Sequence, residues 1–263
     1  MQLENQLHSY NGNSMKEILS ALVIFTTHTL EGITGFGSSV LALPFLEPAL
    51  GLDLTVQLLC ILSWSMALYI IIRSWKDIKW KEFLFIVLWA SLGMPVGIWM
   101  FDRLPAGILC VILGIFMVFV GIRGVKSSCK STVIPQMPAQ RTILMKILLF
   151  AGGIIQGAFG TGGPFIVIYS ARALPEKRVF RVTLSLLWLS INSCRLIFWL
   201  FNGKLNDPAT GNALLWAFPV MLAGVILGDF LHNKVSERNF KIGAYIILVL
   251  SGIFMVINNL IKL

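Results

Sequence analysis

Long apolar runs separated by short polar loops set the pattern of this chain. Six uninterrupted runs cover residues 55–72, 83–100, 106–122, 182–201, 213–231 and 242–261. Each holds about 17–20 residues, the length that crosses roughly 30 Å of hydrocarbon as a helix. Two further apolar runs, about 14–48 and 142–171, are broken by glycine-rich stretches. The first stretch reads Glu31-Gly32-Ile33-Thr34-Gly35-Phe36-Gly37-Ser38-Ser39, the second Gln156-Gly157-Ala158-Phe159-Gly160-Thr161-Gly162-Gly163-Pro164. At a constant offset Gly32, Gly35 and Gly37 fall on Gly157, Gly160 and Gly162, and Glu31 falls on Gln156. Paired glycine breaks at matching points of two halves point to the binding site of a repeat-built membrane transporter.

The repeat extends beyond the breaks. Gly93, Gly97 and Gly121 correspond to Gly224, Gly228 and Gly252, with the offset lengthened by an insertion around 206–211. The expected organisation is a polar N-terminal tail (1–14), a first membrane repeat (15–125), a linker (126–140) holding Pro135 and Pro138, and a second repeat (141–263). Each repeat contributes one broken run and three spans.

Composition supports a membrane solvent. The chain of 263 residues is 57% hydrophobic and 13% charged, against about 25% charged in soluble domains. Its mean hydropathy is +0.83. No cleavable signal peptide is evident, because the N-terminus is polar and the run after it continues into the core. Cys60, Cys110 and Cys194 lie in apolar spans and Cys129 in a basic loop, so neither a disulfide framework nor a zinc site is indicated. The net charge of +9 sits mostly in short loops, where the positive-inside rule accounts for it without nucleic acid.

Charge also orients the halves. Most of the 21 Lys and Arg fall in four segments, 73–81, 123–146, 172–181 and 234–241. If all four are cytoplasmic, the segments before and after the second broken run share a side. That run cannot then cross once, and it is too short for two crossings of about 20 residues each. A re-entrant hairpin entering from the cytoplasm and turning at its glycines meets both constraints. By internal symmetry the run 14–48 is a hairpin entering from outside. The fold class expected is therefore an all-α membrane protein of two inverted repeats, each a re-entrant hairpin plus three transmembrane helices. The two hairpin tips are expected to meet near the midplane, presenting glycine N–H groups and half-helix N-termini, an arrangement that favours an anion.

The motifs Gly-Ile-Thr-Gly-Phe-Gly-Ser-Ser-Val-Leu-Ala-Leu-Pro (32–44) and Gly-Ala-Phe-Gly-Thr-Gly-Gly-Pro-Phe-Ile-Val-Ile-Tyr (157–169) resemble those of the sulfite exporter TauE/SafE family of membrane transporters. The resemblance covers about residues 16–260. The first motif departs from it at Ser38 and Ser39, where the family often has glycine. The resemblance implies transport of sulfur-containing anions, such as sulfite or organosulfonates, across the plasma membrane of a multi-pass protein, with direction variable across the family.

Individual residues carry competing readings. Arg195 is the basic residue deep in a span, where a charge costs about 2.5–3.5 kcal/mol and is usually paired or functional. Asn192, three residues earlier, shares its face. Arg195 binds the anion, or it pairs with a carboxylate, or it snorkels outward. Glu31 stands at the first tip with His28 a turn before it. A carboxylate beside an anion site repels the substrate unless protonated, which makes Glu31 and His28 proton-coupling candidates. The alternatives are a Glu31 bonded to Arg195 or to loop backbone, and a His28 that serves packing. The hydroxyls of Thr34, Ser38, Ser39 and Thr161 could ligate an oxyanion or satisfy freed backbone groups. Asp229 reads as a solvated interface residue, and Gly93, Gly97, Gly224 and Gly228 as helix-packing contacts.

Substrate-binding candidates are thus Glu31, Gly32, Thr34, Gly35, Phe36, Gly37 and Ser38 at the first break. At the second they are Gln156, Gly157, Gly160, Thr161, Gly162 and Gly163, joined by Asn192 and Arg195. No metal, cofactor or nucleophile–base pair is expected, so an enzyme is not. The expected partners are a small anion, the lipid bilayer and a second copy of the chain in a homodimer. An anion channel of the same fold is the alternative to a secondary transporter.

Overall fold

The computed structural model describes residues 2–35, 37–129, 143–160, 163–174, 176–231, 234 and 237–261, and most side chains from Glu17 onward. The 1–14 tail has no described side chains, and most of the 126–140 linker lies outside the described residues, as do Phe36, Thr161 and Gly162. The described residues fold into ten α-helices and no strand. These are α1 (Gln2–Thr34), α2 (Ser38–Leu50), α3 (Leu52–Ser74), α4 (Trp80–Arg103) and α5 (Ala106–Cys129) in the first half. The second half supplies α6 (Ile143–Phe159), α7 (Gly163–Ala173), α8 (Lys177–Phe201), α9 (Pro208–Leu231) and α10 (Glu237–Leu260). A 3₁₀ turn, Trp75–Asp77, links α3 to α4.

Helices α3, α4, α5, α8 and α9 are long and apolar enough to cross a membrane, whereas α2 and α6 are shorter apolar helices. The surface is organised for lipid. Along α4, Leu84, Leu88, Leu92, Val96 and Trp99 are all exposed, an i, i+4 stripe that would be costly in water. The polar groups face inward instead: His28, Glu31, Ser38, Gln156, Asn192 and Arg195 are buried. Buried polar groups inside an apolar shell are what an intramembrane pathway requires.

Contacts pair off across the halves. Helix α1 packs on α9 and α6 packs on α4, while α5 lies against α10 and α3 against α8. The first two crossings are glycine contacts. A Cβ on Gly228 would lie 2.8 Å from the Cα of Gly32, and one on Gly224 would lie 2.7 Å from the carbonyl of Phe25. On α4, a Cβ on Gly97 would lie 2.7 Å from the amide of Ala158. Gly93 meets Phe150 and Ile154, and Gly157 meets Met94, at the same crossing. The packing reading of Gly93, Gly97, Gly224 and Gly228 holds. These contacts let α1 and α6 lie backbone-close to α9 and α4.

Helix α1 continues through the polar N-terminal stretch and on to Thr34 without interruption. Gly35 lies against Arg181, whereas the end of α6 lies against Arg195. Those arginines are fourteen positions apart on α8, or about 21 Å along its axis. The two breaks stand at different depths, which corrects the expectation that they meet at one level.

Candidate functional site

Each glycine break ends one helix and starts another. Gly35 adopts φ +82° and Gly160 φ +69°, the left-handed region that costs an L residue about 1–2 kcal/mol. Both amides close the same turn: Gly35 N–H donates to the Glu31 carbonyl at 2.6 Å and Gly160 N–H to the Gln156 carbonyl at 2.8 Å. The equivalence read from spacing is thus equivalence of backbone geometry.

Their side chains then diverge. At the first break the Glu31 carboxylate turns back over the start of α2. Its Oε2 accepts from the Ser38 amide at 3.2 Å and from the Ser38 hydroxyl. A helix N-terminus attracts negative charge through its free N–H groups and dipole, and here the Glu31 carboxyl group occupies that position. Arg181 lies within electrostatic reach of Glu31 and packs on Gly35, whose Cβ would lie 2.8 Å from the arginine Cγ. The cation that serves Glu31 is therefore Arg181 rather than Arg195. Ser39 exchanges a 2.8 Å hydrogen bond with Ser63 on α3, so both serine hydroxyls are engaged in structure. His28 is fully buried and bonds the Ile24 carbonyl at 2.8 Å through Nδ1. Its Nε2 has no partner among the described residues.

At the second break Gln156 takes the place of Glu31 and faces another way. Its Nε2 donates to Asn192 Oδ1 at 3.0 Å. Arg195 stands a turn farther along α8, 1% exposed. Its Nη1 donates to the Gln156 carbonyl at 2.9 Å and its Nη2 to the Ala158 carbonyl at 3.0 Å. These carbonyls lie in the last turn of α6, the negative end of its dipole, where a cation belongs. The guanidinium also lies over Trp199 at 4.6 Å and Phe101 at 5.5 Å, a cation–π arrangement. No carboxylate pairs with it among the described residues: Asp102, at the neighbouring end of α4, is held by Lys204 at 2.6 Å. Burial excludes snorkelling, and the missing acid excludes a simple ion pair. The Nε hydrogen has no acceptor among the described residues.

The sequence-derived candidates thus separate into groups. Gln156, Asn192 and Arg195 come together at the second break, next to Gly160. Glu31, Gly35 and Ser38 come together at the first. Gly32 and Gly157 lie in the helix crossings, one turn before the breaks, and Gly37 (φ +105°) precedes α2. Gly163 opens α7, and the side chain of Thr34 is outside the described set.

Sequence reasoning missed Arg181 and the contacts of Asp229. The Asp229 side chain is 26% exposed at the basic end, as an interface residue, and is also ion-paired. Its oxygens accept from Arg73 at 2.8 Å and from Arg181 at 2.9 Å, tying α9 to α3 and α8. Arg181 was hidden among the charges of a basic segment. Its fourteen-residue spacing from Arg195, nearly four helical turns, was the available signal.

The profile described as "Sulfite exporter TauE/SafE" matches residues 20–255. The chain is 21% identical over 180 residues to the probable inner membrane transporter protein TsaS of Comamonas testosteroni, covering 68% of this chain and 73% of that protein. No solved structure matches.

Proposed function

The chain belongs to the sulfite exporter TauE/SafE family of membrane transporters, and from that premise we propose that it carries a small sulfur-containing anion, of the sulfite or organosulfonate type, across the bacterial inner membrane. The observation that carries this reading is Arg195: a buried cation with no carboxylate partner among the described residues, an open Nε donor, and a glycine break beside it. Removing a charge from water costs several kcal/mol even after relaxation. Two carbonyls and two aromatic rings offset part of that cost, and a bound anion offsets more. Gln156 cannot ionise where Glu31 can, so the second break holds its positive potential for a ligand while the N-terminus of α2 at the first is met by Glu31.

The proposed architecture is two inverted repeats with α1–α2 and α6–α7 as re-entrant hairpins. It is supported by the exchanged contacts of α1 with α9 and α6 with α4, and by α7, at 11 residues, being shorter than a span while α6, at 17, stands at the lower limit. The basic end, which carries Arg73 and Arg178, faces the cytoplasm under the positive-inside rule. Access alternates as the halves rock about the breaks. Glu31 couples a proton: neutralised, it releases the N-terminus of α2 and lowers the negative charge facing an incoming anion.

Proteoliposomes loaded with sulfite test the reading. Wild-type protein should move sulfite, and an imposed pH gradient should drive accumulation above equilibrium. Arg195→Met, which keeps bulk beside Trp199 and removes charge, should lose flux by at least about a hundredfold, the loss expected for about 3 kcal/mol. Undiminished flux in Arg195→Met would refute the site. Flux that only follows the sulfite gradient would identify a channel or a passive facilitator of the same fold.

A further inference from the structure

A second cluster of arginines lies outside the site just described. At the basic end, Arg73, Tyr69 and Ser74 of α3, Arg178 and Arg181 of α8, and Asp229 of α9 line a cavity of about 230 Å³. Its guanidinium groups are graded by depth. The Arg178 and Arg73 side chains are 65% and 60% exposed at the mouth, and that of Arg181 is 11% exposed at the floor. Arg181 also packs on Gly35, so the residue at the floor touches the first glycine break as well.

The lining carries three arginines against one acid. Asp229 is that acid, with one oxygen on each of Arg73 and Arg181. Arg73 Nη1 also donates to the Tyr69 hydroxyl at 2.6 Å, and Arg178 Nε pairs with Asp77 outside the lining at 2.7 Å. Buried Arg181 Nε has no acceptor among the described residues. Three guanidinium groups on one cavity, with Asp229 the single acid in its lining, together call for an anion. Guanidinium forks bind planar faces of oxyanions through paired N–H donors. The Asp229 carboxylate already occupies part of that geometry.

We propose that this cavity is a separate anion-binding vestibule for a sulfite- or sulfonate-type oxyanion, in which the incoming anion replaces the Asp229 carboxylate on Arg73 and Arg181. Replacement breaks the Asp229 pairs that tie α9 to α3 and α8. The inference rests on the transporter reading for the identity of its ligand, not for its existence.

Purified full-length protein in nanodiscs at low salt provides the test, with sulfite as the probe and heat unfolding as the readout. Arg73 and Arg178 are exposed, so the double variant Arg73→Gln/Arg178→Gln should fold. Half-saturating sulfite for thermal protection should rise about tenfold in it, the effect of a lost charge-assisted hydrogen bond. Asp229→Asn, which removes the competing carboxylate, should lower it. In sided proteoliposomes the double variant should raise half-saturation at the basic face and leave the opposite face unchanged. Wild-type half-saturation in both variants overturns the vestibule. Equal protection by chloride at matched ionic strength also overturns it, since general screening would then explain the effect. If wild-type protein shows no sulfite flux, the transporter reading falls, and the binding measurement still decides the vestibule.

Discussion

Arg181 and Arg195 stand about four turns apart near one face of α8, and each meets one glycine break, Arg181 at Gly35 and Arg195 at the end of α6. Their surroundings differ in charge. Arg181 has Asp229 at 2.9 Å and Glu31 within reach. Arg195 has carbonyls and rings as its direct contacts, with Asp102, itself held by Lys204, within electrostatic reach. One helix therefore presents a directly ion-paired cation to one break and a cation without a direct acid partner to the other.

The backbone of the breaks gives the first prediction. Gly160 has a positive φ and open space around a would-be Cβ, so Gly160→Ala should cost about 1–2 kcal/mol from conformation alone. Gly35 has the same conformation, but a Cβ there would lie 3.0 Å from the Arg181 Cα, a backbone atom that cannot swing away. Gly35→Ala should destabilise by more. Denaturation of both variants in detergent measures the difference, and equal losses would remove Arg181 from the first break.

Much of this arrangement was readable in the sequence. Uninterrupted apolar runs gave the spans because a bilayer rewards length and hydrophobicity with little else to confuse the pattern. Gly93, Gly97, Gly224 and Gly228 were readable as packing contacts because only close backbones need glycine at that spacing. Arg195 stood out against apolar neighbours. Arg181 did not, because Lys177 and Arg178 precede it and a helix start looks like a loop in a charge count. The partner of Glu31 was open because its contact with Ser38 crosses a tight turn, whose path depends on φ at Gly35. The different depths of the two breaks depend on how α1 and α6 pack against the other helices, which no residue pattern along the chain encodes.

Sidedness gives the second prediction. The proposed re-entrant α6–α7 hairpin puts the residues before and after it on one side. In a background lacking native cysteines, cysteines at Ser127 and Glu176 should both react with an impermeant thiol reagent applied to the cytoplasmic face. Labelling from opposite faces would make α6–α7 a crossing and end the inverted-repeat proposal.

The third prediction concerns the shape of the Arg195 cation. A lysine keeps the charge but cannot hold two carbonyls of α6 in a planar fork. Arg195→Lys should therefore retain sulfite-dependent protection, with affinity lowered about tenfold and stability lowered by about 1–3 kcal/mol for the carbonyl left without its donor. Protection equal to that of Arg195→Met would mean that charge at this position is not what holds the anion.

The last prediction exchanges the residues that make the two breaks differ. Glu31 and Gln156 occupy equivalent positions before equivalent turns, yet only Glu31 places a negative charge on the following helix. Gln156→Glu should bring a carboxylate beside Arg195, satisfy that cation internally, and raise half-saturating sulfite at least about tenfold, a loss of about 1.4 kcal/mol. Its stability should hold or rise, since a buried cation gains a partner. Glu31→Gln should do the reverse at the first break. Glutamine still accepts from Ser38 but carries neither charge nor a titrating proton, so sulfite exchange should persist while accumulation driven by a pH gradient disappears. If Glu31 served only to balance Arg181, the same variant would lose thermal stability and keep its response to the gradient. Flux with and without an imposed gradient, measured beside heat unfolding, separates these outcomes. Gradient-driven accumulation unchanged in Glu31→Gln would reject proton coupling at this carboxylate. Unchanged sulfite affinity in Gln156→Glu would reject the claim that neutrality at Gln156 keeps the second break open to an anion.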